Sequence, residues 1–169
     1  MTILIGISIG YVFAVIIGHI AIQFFVDGMW KSIGWIPNVN SGRPEYHHPR
    51  LIGVIERTLY VASLQMGKPE FIGVWLALKV AGQWKRWETS GSIAGNIVEG
   101  RVFYNIFLIG SGLSVAYAVG GAKMIEYFNA SQWTYLAVLP LAILFGTAVL
   151  QILSYWWKPK KAKTTDTNP

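Results

Sequence analysis

The sequence predicts an all-α integral membrane protein, a bundle of about five transmembrane or re-entrant helices, and three observations predict it. Apolar residues make up 53% of the 169 residues and charged residues only 13%, about half the charged share of a soluble domain. The charges are bunched, because residues 2–26 and 127–157 contain none. Each stretch exceeds the roughly 20 residues needed to cross a hydrocarbon core. Turn formers divide the remainder into segments of helical length.

The first helix is expected over residues 2–26. Its start, MTILIGISIGYVFAV, lacks the basic opening of a cleaved secretory signal, and no small-x-small cleavage pattern follows. The first stretch is therefore read as a membrane helix. Asp27-Gly28, Ile36-Pro37-Asn38 and Ser41-Gly42-Arg43-Pro44 mark a loop. The second helix, 50–66, is expected to stop at Met66-Gly67, where glycine suits a left-handed cap. Lys68 is the hinge. The third, 69–87, opens with Pro69 and Glu70, both favoured in a first turn. Thr89-Ser90-Gly91-Ser92 interrupts the chain before a fourth helix, 93–120, expected to end at Gly120-Gly121. A short segment from Lys123 to Ser131 leads to the fifth, 133–157. Residues 1–157 thus read as a single transmembrane domain and 158–169 as a disordered, basic cytoplasmic tail.

Basic residues orient such a bundle. Lys31, Arg43, Arg50, Lys85, Arg86, Arg101 and the lysines of 158–163 fall on one side of five alternating spans, and Lys68 and Lys123 on the other. The asymmetry places the N-terminus outside and the C-terminus in the cytoplasm, in a membrane expected to be the bacterial inner membrane. Trp30, Trp35, Trp84, Trp87, Trp156 and Trp157 would line the cytoplasmic interface. The net charge of +6 is thereby assigned to topology. Membrane lipids are the expected partners, with no nucleic acid and no cofactor.

Small residues recur at every fourth position in Gly6-Gly10-Ala14-Gly18, Gly73-Ala77-Ala81 and Gly110-Ser114-Ala118, with Gly112-Ala116-Gly120 alongside the last. Such ridges let helix backbones approach closely in lipid. Packing within the chain is the plainer consequence, and a homo-oligomer or membrane-complex seam through Gly6, Gly10, Ala14 and Gly18 the sharper one.

Ionisable groups inside spans cost about 2.5–3.5 kcal/mol each on insertion scales, so each needs a reason. Here they are His19, Glu56, Arg57 and Lys79, with Asn105 as a neutral companion. In a tight hairpin about Gly67-Lys68, residues whose numbers sum to 135 share a height. Glu56 is then level with Lys79, and Tyr60 with Trp75. Arg57 has no assigned partner; Glu56, Glu99, Asp27 or an anionic ligand would each serve. Counted from the predicted helix ends, all five groups lie roughly 6–12 Å beneath the cytoplasmic surface. Gln23, Gln83 and Arg101 form a shallower tier. Four helices aiming polar groups at one layer imply a hollow open to the cytoplasm.

The ligand-binding set expected from this pattern is Arg57, Arg101, His19, Asn105, Glu56 and Lys79. The arginines would take the anion of a lipid headgroup or similar amphiphile, His19 and Asn105 would add hydrogen bonds, and the Glu56–Lys79 pair would hold the wall. Two other classes stand beside this one. A structural or accessory subunit would use the charges only to fix helix register, and a lipid-modifying enzyme would use Glu56 or His19 as general base. Catalysis has little behind it, since no cysteine is present and no nucleophile–base pair or metal set is spelled out. Adjacent His47-His48 beside Glu45 is a poor metal site, so none is expected.

Overall fold

The computed structural model describes residues 2–32, 48–89 and 100–156, with side chains over 3–31, 51–82, 104–132 and 135–153. Among them there are five helical rods and no strand. α1 is continuous through three stretches, α-helical Thr2–Tyr11, π-helical Val12–Ile17 and α-helical Gly18–Ser32. α2 is His48–Gln65, α3 Glu70–Thr89, α4 Gly100–Asn129 and α5 Trp133–Trp156. The expected tail and the loop from 33 to 47 lie outside the described residues.

Three rods, α1, α4 and α5, are long and apolar enough to cross a membrane. α2 and α3 have comparable lengths, about 27 and 30 Å at roughly 1.5 Å per residue. Glu56, Arg57 and Lys79 interrupt their apolar runs.

The rods alternate in direction around α4, which touches all the others. The α2–α3 turn is a Schellman cap: Gly67 N–H donates to Leu64 O at 3.1 Å and Lys68 N–H to Ser63 O at 2.8 Å, with Gly67 at φ 67°. A second cap of the same form joins α4 to α5. There Ser131 N–H donates to Phe128 O and Gln132 N–H to Tyr127 O, but the left-handed residue is Ser131. The Gln65 side-chain amide donates to Ala122 O, so the Gly67 turn and the end of α4 lie together.

Two helix ends differ from the sequence expectation, and both for the same reason. α1 continues through Asp27-Gly28 to Ser32, and α4 continues through Gly120-Gly121 to Asn129. These glycines serve close approach rather than chain reversal. A Cβ at Gly28 would fall 2.1 Å from the Gln151 amide, and one at Gly121 would fall 2.5 Å from Gly10 O. Glycine in a helix interior costs about 1 kcal/mol, and at Gly121, where the close atoms are backbone and Ala14 Cβ, the tight packing offsets it.

The same geometry uses up the first small-residue ridge. Gly10 meets Gly121 and Ile125, Gly6 meets Phe128, Gly18 meets Tyr117, and Ala14 is fully buried. This ridge packs within the chain, between α1 and α4. On a regular α-helix each i,i+4 step turns such a ridge by about 40°. The π stretch, closing wider i→i+5 rings, underwinds α1 and turns the ridge back toward α4. Gly73, Ala77 and Ala81, by contrast, lie on an exposed face of α3.

Candidate functional site

The polar side chains of α1, α2, α3 and α4 converge on two neighbouring residues of α2. Glu56 and Arg57 are 1% and 2% exposed, although both are charged and sit among apolar helices. Burial of this kind is tolerated only where partners replace water.

Glu56 has strong partners. Lys79 Nζ of α3 stands 2.8 Å from its Oε2, and the Trp75 indole N–H donates to its Oε1 at 3.1 Å. The 135-sum rule is met for this pair. Lys79 also donates to Ser111 Oγ of α4 at 3.2 Å and lies 5.0 Å from the centre of the Phe107 ring. Its side chain is 21% exposed, so it forms the outer edge of the cluster.

Arg57 is held differently. Its Nη1 donates to Ser114 Oγ of α4 at 3.3 Å, and its Nη2 to His19 Nδ1 of α1 at 3.1 Å. Both partners are neutral acceptors. No carboxylate among the described residues lies within ion-pair distance of the guanidinium, and its Nε has no acceptor. Two of the five guanidinium N–H groups are thus used. Of the carboxylates proposed from sequence, Glu56 is committed to Lys79, Asp27 makes no pair with Arg57, and Glu99 lies outside the described residues.

The contact to Arg57 fixes the state of His19. A guanidinium only donates, so Nδ1 is the accepting nitrogen and the ring proton sits on Nε2. The Gln23 amide nitrogen stands 2.9 Å from Nε2; turned about its Cγ–Cδ bond, the amide would present its oxygen to that proton. His19 is a neutral spacer between Arg57 and Gln23. One turn along α2, the Tyr60 hydroxyl is also buried without a partner.

His19, Glu56, Arg57 and Lys79 are therefore brought together. Asn105 is not, and this corrects the sequence expectation: it lies on an exposed stripe of α4 with Ile109, Gly112 and Ala116. The hydroxyls of Ser111 and Ser114, on the inward stripe, take its place. Arg101 begins α4 about 15 Å along the axis from Ser111, and its side chain, like those of Gln83, His47 and His48, lies outside the described residues.

Depth is corrected too. Because α1 runs on to Ser32, His19 lies about 20 Å from that end rather than about 10 Å. Glu56 lies about 12 Å from His48, Lys79 about 15 Å from Thr89 and Ser111 about 17 Å from Gly100. The polar layer sits near the middle of each contributing helix. Among the described residues its groups contact one another across α1, α2, α3 and α4.

Among the described residues, no group of three or more His, Cys, Asp or Glu side chains is placed to hold a metal ion. Among the contacts described, Glu56 meets Lys79 and Trp75, and His19 meets Arg57 and Gln23. Chemically, the arrangement offers a guanidinium with donors to spare in a medium that strengthens each contact. Comparison with family models, with curated proteins and with solved structures finds no match to this chain.

Proposed function

We propose that the chain is a bacterial inner-membrane protein, N-terminus outside and C-terminus in the cytoplasm, that binds or carries an anionic amphiphile such as a lipid headgroup. Arg57 is the seat of the anion, and the single observation behind this is its buried guanidinium, which has only neutral acceptors and N–H groups left over. An uncompensated charge at mid-helix depth is costly in a membrane. An anionic group arriving there would recover both the charge balance and the missing hydrogen bonds. His19 and Ser114 orient the guanidinium, the Glu56–Lys79 pair holds the wall between α2 and α3, and Arg101 belongs to the first turn of α4.

The test is mass spectrometry of the small molecules that leave the membrane with the purified protein. An anionic lipid should accompany the wild type and be missing from a folded Arg57→Leu variant. If Arg57→Leu carries the same lipid complement, the proposal fails. Should Arg57→Leu unfold, while a triple change adding Glu56→Gln and Lys79→Gln folds, the charges serve architecture alone.

A second reading, an accessory subunit of a membrane complex, is favoured by one observation. The ridge Gly73-Ala77-Ala81 is exposed on α3 beside Val74 and Leu78, and a Cβ at Gly73 would meet nothing within 4 Å. Crosslinking from that face to another polypeptide would favour this reading over the first.

A further inference from the structure

We infer that the group seated on Arg57 is a singly charged oxyanion, a phosphodiester or a carboxylate, and that it enters past Gly53; this rests on Arg57 being the anion seat proposed above.

The charge count comes from the contacts. Glu56 and Lys79 cancel across 2.8 Å. His19 accepts a hydrogen bond from Arg57 on Nδ1 and is neutral. Ser111, Ser114, Gln23 and Trp75 carry no charge. Among the described side chains of the cluster, one positive charge is left, on Arg57. A single negative charge balances it, whereas a dianion would replace a buried surplus of one sign with the other.

Entry is set by a missing side chain. Gly53 stands one helical turn before Arg57 and is itself partly exposed. The three atoms nearest to a Cβ built on it all belong to Arg57: Nη1 at 3.4 Å, Nη2 at 3.8 Å and Cζ at 3.9 Å. Among the described residues the wall over the guanidinium is therefore a bare Cα at this point, and beside it Ile52 is 46% exposed and apolar. A group approaching there meets the Nη1–Nη2 edge. Each of these nitrogens keeps a second N–H beyond the one given to Ser114 or His19. Such a fork matches two oxygens of one oxyanion, while an attached acyl chain would run out over Ile52.

The experiment uses the full chain in nanodiscs of phosphatidylcholine containing either phosphatidylglycerol, a phosphodiester with one negative charge, or phosphatidic acid, a phosphomonoester that reaches two. Native mass spectrometry counts the lipids retained, and melting temperature reports folding. Phosphatidylglycerol should be held in preference to both other lipids. Gly53→Val, which fills the notch, should weaken its retention about tenfold, or about 1.4 kcal/mol, while Gly53→Ala stays near wild type because its Cβ makes only ordinary contact. Equal or stronger retention of phosphatidic acid overturns the single-charge assignment, a result read from the wild type alone. Unchanged phosphatidylglycerol binding in a folded Gly53→Val protein overturns the entry route. If neither lipid is retained but sodium acetate raises the melting temperature of the wild type and not of Arg57→Leu, the amphiphile reading fails and the singly charged oxyanion stands, supplied free in solution. If acetate has no effect either, both fail.

Discussion

One face of α4 meets α1 through glycine and alanine, with Gly10 against Gly121, Ala14 beside them and Ile125 closing over the contact. A neighbouring face, less than three turns away, meets α2 and α3 through Ser111, Ser114 and the charges they receive. The two regions answer the same difficulty in opposite ways. In lipid, apolar side chains would gain nothing by hiding from their surroundings, so helices would associate through close packing or through polar contacts. The α1–α4 seam uses distance alone and can be damaged only by added volume. The α2–α3 cluster uses charge and can be damaged by taking one partner away.

The largest effect should come from breaking the dry seam. In Gly121→Val the new Cβ would lie 2.5 Å from Gly10 O and 2.8 Å from Ala14 Cβ. Neither contact is the end of a flexible side chain, so no rotamer change relieves it. Overpacking of this kind costs about 3 kcal/mol or more, and thermal melting in detergent should fall by on the order of 10 °C. A variant that melts like the wild type would mean that α1 and α4 are not in backbone contact.

Second in size is the charged cluster. Lys79→Met leaves Glu56 buried with the Trp75 N–H as its remaining contact, and breaking a pair of this kind costs about 3 kcal/mol, less where the cation is partly exposed. Adding Glu56→Gln to Lys79→Met should recover more than half of the loss, since no unpaired charge then remains. A double-mutant cycle checks this. Simple addition of the two single effects would show the pair to be uncoupled.

The contrast between the regions also explains what could be read from sequence. The height of Glu56, Arg57 and Lys79 follows from counting along a hairpin whose turn is marked by Gly67, and His19 is conspicuous as the one ionisable group in the apolar part of α1. Which face of α4 points inward is another matter. In a soluble helix the polar side declares itself. In α4 the inward stripe of Ser111, Ser114 and Ala118 and the outward stripe of Asn105, Gly112 and Ala116 both mix small residues with polar ones. Asn105 is the more polar candidate, and it lies on the outward stripe. Depth failed for a related reason: Gly28, Gly120 and Gly121 have the composition of helix ends and the role of contact points. The π stretch has no residue signature at all, because VFAVII suits an α-helix equally well.

Smaller still is the expected effect of Ser114→Ala. It removes one of the two acceptors of Arg57 and should cost about 1 kcal/mol. It also sharpens the comparison, because Ala118, one turn on, is already alanine and belongs to the dry packing. If bound anion supplies the main acceptor for Arg57, the loss should shrink when an anionic lipid is present. A loss independent of lipid would mark Ser114 as a purely structural partner.

The smallest effect, and the one of opposite sign, lies in neither region. The two Schellman turns are built alike, yet one places Gly67 at φ 67° and the other Ser131 at φ 58°. A left-handed conformation costs an L-residue about 1–2 kcal/mol relative to glycine, part of which glycine returns through its greater freedom in the unfolded chain. Ser131→Gly should therefore stabilise by about 0.5–1 kcal/mol, and Gly67→Ser should destabilise by a similar amount. Neither change touches the seam or the charges, so each should add to Gly121→Val and to Lys79→Met without coupling. Because Gln65 of the Gly67 turn binds Ala122 O of α4, coupling between Gly67→Ser and Gly121→Val would show that the turn and the dry seam melt as one unit, and that only the charged cluster stands apart.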